Sequence, residues 1–277
     1  MTSINLKTVC LALGPYRNLT TLTASLLFLH PRCQVLNHGS DRILPNPGVN
    51  FLHEYSAMKF NAFLKQFIGM SAEGRRGRYG GSITLSHAFD DGRILETYKE
   101  RFDETKIKHE IECLFWKESL RVSRFIQQHN INLESIFHKN SQLRFLMPMR
   151  NPVDCALSNI KTGHGNELVQ DDIDLKYEVV LDAVLREFRW FVELQENFPG
   201  RFFSFYENSL DRNTVTQLAD FLGIDPEKTW VDDVISNYNI RHPYEYTQEM
   251  KDCYFSLVDS HFDKYPAVGE QLAGMLY

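Results

Sequence analysis

The chain has no C-x-x-C pair, and its five cysteines, Cys10, Cys33, Cys113, Cys155 and Cys253, are odd in number and widely scattered. That pattern argues against a disulfide framework or a cysteine-based zinc site, and it fits a reducing compartment. No His/Cys/Asp cluster has metal-ligand spacing, so no metal is expected. Long apolar runs are missing too: none approaches the roughly 20 residues needed to cross a bilayer. Near the N-terminus only the seven residues from Thr8 to Gly14 form an apolar stretch, with no basic flank and no small-residue cleavage site. A secretory signal is therefore not expected and the expected location is cytoplasmic, so the sequon at Asn18-Leu-Thr20 carries little weight. A basic excess is also absent, since 30 Lys and Arg against 36 Asp and Glu leave a net charge of −6. An acidic chain argues against nucleic acid or an anionic membrane surface as a partner of the whole molecule. A local anion site remains open. There are no internal repeats and no low-complexity linkers.

What the chain has is material for a core. Of its 277 residues 43% are hydrophobic and 20 are Phe, which supports a large packed interior rather than a disordered chain. Short apolar runs alternate with longer amphipathic segments. Val9–Leu13, Cys33–Leu36, Ile83–Ser86, Leu143–Met149 and Arg201–Tyr206 read as strands. TTLTASLLFLH, stopped by Pro31, reads as a helix. So does Glu104–His129, where Ile107, Ile111, Leu114, Phe115, Val122, Phe125 and Ile126 keep a helical period. Another helix starts at Asn151 as N-cap, with Pro152 at its first position and Asp154 at its third. Leu175–Phe198 and Asn213–Leu222 follow, the latter capped by Gly223, and Tyr246–Tyr265 reads as an amphipathic helix packing on the sheet. The alternation implies an α/β fold with a central, mostly parallel sheet flanked by helices, and residues 1–277 read as one domain.

In such sheets ligands collect at the C-terminal ends of the strands. Three strand ends here carry functional groups. The first is Gly14-Pro15-Tyr16-Arg17-Asn18-Leu19-Thr20-Thr21, placed as a phosphate-binding loop between a buried strand and a helix. It departs from the Walker A pattern, because Leu19 and Thr20 stand where the second Gly and the Lys would be. Alone, it reads equally well as a polar turn. The second is Met149 to Ser158, in which Arg150 ends a strand and Ser158 lies about two helical turns into the capped helix, so that both face one anion. The third is Phe205 to Ile224, where Tyr206 leaves its strand as a candidate cover for a flat base.

Together these segments resemble the sulfotransferases that use 3′-phosphoadenosine 5′-phosphosulfate (PAPS). Pro15, Arg17, Thr20 and Thr21 match the family's phosphosulfate loop P-x-R/K-S-G-T-T, with Asn18 in place of Ser and Leu19 in place of Gly. Arg150, Asn151, Pro152, Asp154 and Ser158 meet its 3′-phosphate segment R-N/D-P-x-D-x-x-x-S in full. Tyr206, Glu207, Leu210 and Leu222-Gly223 are similar to its later strand–helix block. The resemblance implies a P-loop-like sulfotransferase that moves a sulfuryl group from PAPS to an acceptor hydroxyl or amine, without a metal. Under it, Gly14 to Thr21, Arg150, Ser158, Tyr206 and Arg241 are expected to hold the donor, and Arg17 to stabilise charge on the leaving phosphate.

An acceptor also needs a general base. His87 is the first candidate, because Ile83 to Ala88 resembles the family's strand-ending Thr-His segment. His53 and Glu54 are second, and His38, just after the second strand, is third. Arg75, Arg76 and Arg78 read as a solvated loop or an anion lid. The acceptor is left open among small molecules, carbohydrates and lipids, and so is the oligomeric state. Two competing readings are a P-loop kinase-like phosphotransferase and a non-catalytic PAPS-binding relative.

Overall fold

The computed structural model describes residues 2–74, 79–90, 92–103, 105–169 and 175–276. The expected loop of Arg75, Arg76 and Arg78 lies outside the described residues. In chain order the elements are β1 (Ser3–Ala12), α1 (Thr20–Phe28), β2 (Cys33–Asn37), α2 (Ser40–Ile43), α3 (Ala57–Ala72), β3 (Gly81–Ser82), α4 (Arg93–Phe102), β4 (Glu110–Lys117), α5 (Leu120–Gln128), α6 (Leu133–Lys139) and β5 (Leu143–Met149). They continue with α7 (Pro152–Lys161), α8 (Gly165–Val169), α9 (Tyr177–Asn197), β6 (Phe202–Tyr206), α10 (Arg212–Leu222), α11 (Lys228–Asn237), α12 (Gln248–His261) and α13 (Pro266–Ala273). The sheet order is β3-β2-β4-β1-β5-β6. The residues group into two compact units. One comprises Met1–Leu13, Thr20–Leu146 and Asp211–Asn239; the other comprises Gly14–Leu19, Met147–Leu210 and Ile240–Tyr277.

In the first unit β1, β2 and β4 run parallel, with Leu36 and Leu11 both in register with Trp116. The short β3 is antiparallel to β2 at the edge. All of β2 and the second half of β1 are buried, which is how a parallel sheet covered on both faces reads in sequence. The α/β expectation with a mostly parallel sheet holds. Two local expectations do not. Glu104–His129 is not one helix: Ile111, Leu114 and Phe115 belong to β4, and only the last third of the segment is helical. A run that is apolar on both faces fits either period, and here pairing with β1 and β2 decides it. Ile83–Ser86 is not a strand either. The Ser82 hydroxyl accepts the Thr84 N–H, and residues Ile83–Leu85 form a 3₁₀ turn instead.

Packing in this unit fixes one histidine as a neutral group. Trp230 of α11 donates its indole N–H to the Leu26 carbonyl at 2.9 Å, and its ring lies edge-on to His30. His30 is fully buried; its Nε2 lies 2.9 Å from the Asp225 carbonyl and its Nδ1 accepts the Arg32 backbone N–H. Both ring nitrogens are satisfied only with the proton on Nε2. Protonating Nδ1 would set it against an N–H. Burial, more than any neighbour, pushes the imidazole down to about 4. An unfolded histidine titrates near 6.5, so the unfolded chain binds a proton that the native one refuses. Stability therefore falls as pH drops from about 6.5 to about 4 and levels off below that, a loss of about 3 kcal/mol from this group. Urea unfolding of the chain and of His30→Gln should show the wild type losing that much more across this window. Parallel pH profiles would contradict it.

In the second unit α9 runs for 21 residues and packs against both α7 and α12. The C-terminal helix expected over Tyr246–Tyr265 forms as α12, which packs on α9. Its buried Tyr254 donates to the Leu272 carbonyl at 2.6 Å, tying α12 to α13. The N-cap read at Asn151 is present: its side-chain oxygen accepts the N–H groups of Val153 and Asp154.

Candidate functional site

The loop Gly14–Leu19 is bent by backbone that most side chains avoid. Gly14 has φ +101°, and a Cβ there would meet the Met147 side chain at 2.8 Å. Arg17 and Leu19, at φ 62° and 58°, are left-handed without being glycine. Each such residue costs roughly 1–2 kcal/mol, and alternating left-handed residues of this kind turn peptide N–H groups into an anion-binding concavity. Leu19 stands where the sulfotransferase pattern has Gly, and it takes the left-handed conformation that a glycine would take freely.

Side chains of α7 hold this loop. The Tyr16 carbonyl accepts from Asn159 Nδ2 at 2.8 Å and from the Cys155 thiol at 3.4 Å. Arg17 Nε donates to the Ser158 hydroxyl at 2.9 Å, so Ser158 meets Arg17, the residue expected at the phosphosulfate, rather than Arg150. Arg150, at the end of β5, gives its backbone N–H to Asn18 Oδ1 at 2.8 Å. Its guanidinium reaches the Arg17 carbonyl at 3.3 Å, Asp154 Oδ2 at 3.3 Å and the Arg241 carbonyl at 3.5 Å. Arg17, Asn18, Arg150 and Ser158 thus form one polar cluster within the second unit.

The cluster has unmet hydrogen bonds. Arg150 Nε and Asn18 Nδ2 are buried and have no partner, and neither has Thr20 Oγ1 at the start of α1. Buried donors left unmade cost about 1–3 kcal/mol each, so the pair on Arg150 and Asn18 fits a ligand with acceptor oxygens. A phosphorylated group supplies those. Because Asn151 caps the amides of Val153 and Asp154, an anion beside α7 would be met by side chains rather than by the helix start.

Behind Arg150 lies a network that the sequence reading did not find. Asp154 is fully buried, and its carboxylate accepts from Arg150, from His242 Nδ1 at 3.1 Å and from the Tyr246 hydroxyl at 2.8 Å. His242 also lies 3.9 Å from Glu207, whose carboxyl burial pushes up. Burial first, and then the Asp154 carboxylate, raise the Tyr246 phenol. His242 sits in an unpatterned segment and Tyr246 at the start of the helix read over Tyr246–Tyr265, and no sequence signal marked either as a partner of Asp154. Arg241 itself is exposed and enters the cluster only through its backbone carbonyl. Tyr206 is half-buried, with its phenol pushed up to about 12 by burial.

The base candidates all belong to the first unit. His87 opens a 3₁₀ turn rather than ending a strand, and it is exposed. Glu54 is exposed and paired with Lys59 at 2.9 Å, which holds its carboxyl below the usual range. His53 is exposed and lies edge-on to the His129 ring. His38 is different. It follows β2 in left-handed backbone (φ 59°), its carbonyl accepts the Trp116 indole N–H at 2.7 Å, and its N–H bonds the Lys117 carbonyl. Its Nε2 lies 3.1 Å from Lys117 Nζ and its Nδ1 3.6 Å from the Glu118 carboxylate. Burial alone would raise Glu118; the hydrogen bond and charge of His38, the charge of Lys117 and a hydrogen bond from Ser40 outweigh it and lower the carboxyl. Lys117 and Glu118 were hidden at sequence level because Glu104–His129 read as a helix.

Among the described residues no group of His, Cys, Asp and Glu is arranged to hold a metal ion, and no helix is long and apolar enough to cross a membrane. No family model matches the sequence, and no curated protein does. Among solved structures the chain is similar to a sulfotransferase from Alicyclobacillus acidocaldarius, at 13% identity over 94% of this chain and 95% of that one, with a TM-score of 0.41. A mouse sulfotransferase complexed with PAP is 10% identical over 98% and 88%, with a TM-score of 0.43. A sulfotransferase from Mycobacterium avium is 14% identical over 95% and 76%, with a TM-score of 0.45. All three scores lie below 0.5, so a functional assignment has to stand on the residues of the site.

Proposed function

We propose that the chain is a PAPS-dependent sulfotransferase that moves a sulfuryl group to an acceptor hydroxyl or amine. The observation that carries this reading is the cluster of Arg17, Asn18, Arg150 and Ser158, with buried unmet donors on Arg150 and Asn18. When bound, the donor supplies the activated sulfuryl group. The protein's part is to hold two phosphorylated ends and to accept a proton. Arg150 and Ser158 hold the 3′-phosphate, the group that separates this donor from ordinary adenine nucleotides. Arg17, Thr20, Thr21 and the amides of the loop hold the phosphosulfate and stabilise the charge that grows on the leaving phosphate oxygen. The Walker lysine is missing, which disfavours ATP chemistry.

For the base, the geometry favours His38 over His87, His53 and Glu54. β2 and β4 run parallel to β1, so His38 and Glu118 follow the same ends of their strands as Leu13 does of β1. Glu118 faces Nδ1 and so favours the tautomer that leaves the lone pair on Nε2. The acceptor hydroxyl replaces Lys117 as the donor to Nε2 and passes its proton there. Lys117 is then released to stabilise negative charge on the sulfuryl oxygens. The experiment is transfer of labelled sulfate from PAPS across a panel of hydroxyl and amine acceptors. Labelled product with any of them bears the reading out. Binding of PAPS with no transfer across a broad panel would leave a binding protein and overturn the assignment.

A further inference from the structure

Arg150 and His242 share one oxygen of the Asp154 carboxylate, Oδ2, at 3.3 and 3.1 Å, and the Tyr246 hydroxyl donates to the other at 2.8 Å. Asn151 steadies Tyr246, with its Nδ2 3.4 Å from the phenol oxygen. The same His242 Nδ1 lies 3.9 Å from Glu207 Oε1. The charged and titratable groups around the imidazole are therefore Asp154 from α7, Glu207 from the end of β6 and Arg150 from the end of β5, with Tyr246 and Arg241 on its own segment. All belong to the second unit. The side chains of Asp154 and Glu207 are 0% and 1% exposed, and burial raises the Glu207 carboxyl. Two buried carboxylates thus face Arg150, a permanent cation. The His242 side chain, 34% exposed, exchanges protons directly with water, and an imidazole changes charge near neutral pH.

We infer that His242 is a positioning residue for Arg150 and couples phosphate binding there to a proton: when a phosphate engages the guanidinium, the imidazole takes up a proton and neutralises the carboxylates in its place. The inference rests on the reading that Arg150 holds the 3′-phosphate. A phosphate dianion beside two carboxylates is more negative charge than one guanidinium answers, and an imidazolium on Asp154 Oδ2 answers part of it while keeping that carboxylate in place for Arg150. By reciprocity, a proton on His242 strengthens binding by the factor by which binding strengthens the proton. Affinity is then highest where the imidazole is protonated and falls as pH rises through its titration.

The test titrates the full chain with adenosine 3′,5′-bisphosphate by calorimetry, in two buffers of different ionisation enthalpy. Net proton uptake, up to about one per site, is expected near neutral pH. The ligand's phosphates, with a second ionisation near about pH 6, can only release protons on binding as dianions, so uptake belongs to the protein. His242→Asn keeps a donor at the place of Nδ1 and removes the titration. The parent should bind about tenfold more tightly than this variant at about pH 6 and within about twofold of it at about pH 8. A purely structural loss would leave that ratio constant. Glu207→Gln keeps the imidazole and removes one carboxylate, so its uptake should shrink, which decides the matter even if His242→Asn does not fold. No net uptake by the parent, uptake undiminished in either variant, or an equal ratio at the two pH values would overturn the inference and leave the donor reading in place. If the bisphosphate does not bind at all, the donor reading falls and this inference falls with it.

Discussion

His38→Asn lowers turnover by about 10²–10⁴-fold, the usual contribution of a general base, and leaves the affinity for adenosine 3′,5′-bisphosphate unchanged. Asn is the informative replacement because position 38 has φ 59°, a conformation that Asn tolerates and most residues do not. The backbone bonds to Trp116 and Lys117 can then persist, so the loss reports on the imidazole and not on the fold. Glu118→Gln is the companion variant. It keeps the shape but removes the charge that orients Nδ1, and its cost should be smaller than that of His38→Asn because the base itself remains. Steady-state rates with saturating PAPS measure both. Undiminished turnover in His38→Asn would return the role to His87, His53 or Glu54.

The second large effect is on binding. Arg150→Ala should weaken adenosine 3′,5′-bisphosphate by roughly 10–150-fold, which is the 1.5–3 kcal/mol of a lost hydrogen bond to a charged group. Adenosine 5′-monophosphate, which lacks the 3′-phosphate, should be weakened far less. The contrast between the two nucleotides matters because Arg150 also neutralises the fully buried Asp154. Its removal leaves that carboxylate with His242 and Tyr246 alone, and some loss of stability is expected. General destabilisation would affect both nucleotides alike. Arg150→Lys restores the charge without the planar fork and should recover only part of the affinity. Equal losses for the two nucleotides would show that Arg150 supports the loop without touching a 3′-phosphate.

The sequence carried the cluster of Arg17, Asn18, Arg150 and Ser158 better than the surroundings of His38. Arg150 to Ser158 is a local pattern, a capped helix of fixed pitch following a strand end, and both of its ends meet Arg17. The departure at Leu19 was legible as a glycine position, and the φ of 58° there shows why glycine is the usual choice. His242 and Tyr246 were invisible because they reach Asp154 across about 90 residues of chain, a separation no local pattern reports. His38 was noticed only for following a strand. Its partners Lys117 and Glu118 could not be placed while Ile111 to Trp116 read as helix, since a buried parallel strand and a buried helix turn look alike over so short a mostly apolar run. Strand pairing resolved that, and pairing is a long-range fact.

On the function proposed above, the Arg17, Asn18, Arg150 and Ser158 cluster holds a nucleotide with a 3′-phosphate. Calorimetric titration of the unmodified chain tests it most directly, with adenosine 3′,5′-bisphosphate and, separately, ATP with Mg²⁺. Binding of the bisphosphate, with ATP much weaker, is the predicted result. Tight binding of ATP with Mg²⁺ and none of adenosine 3′,5′-bisphosphate would contradict it.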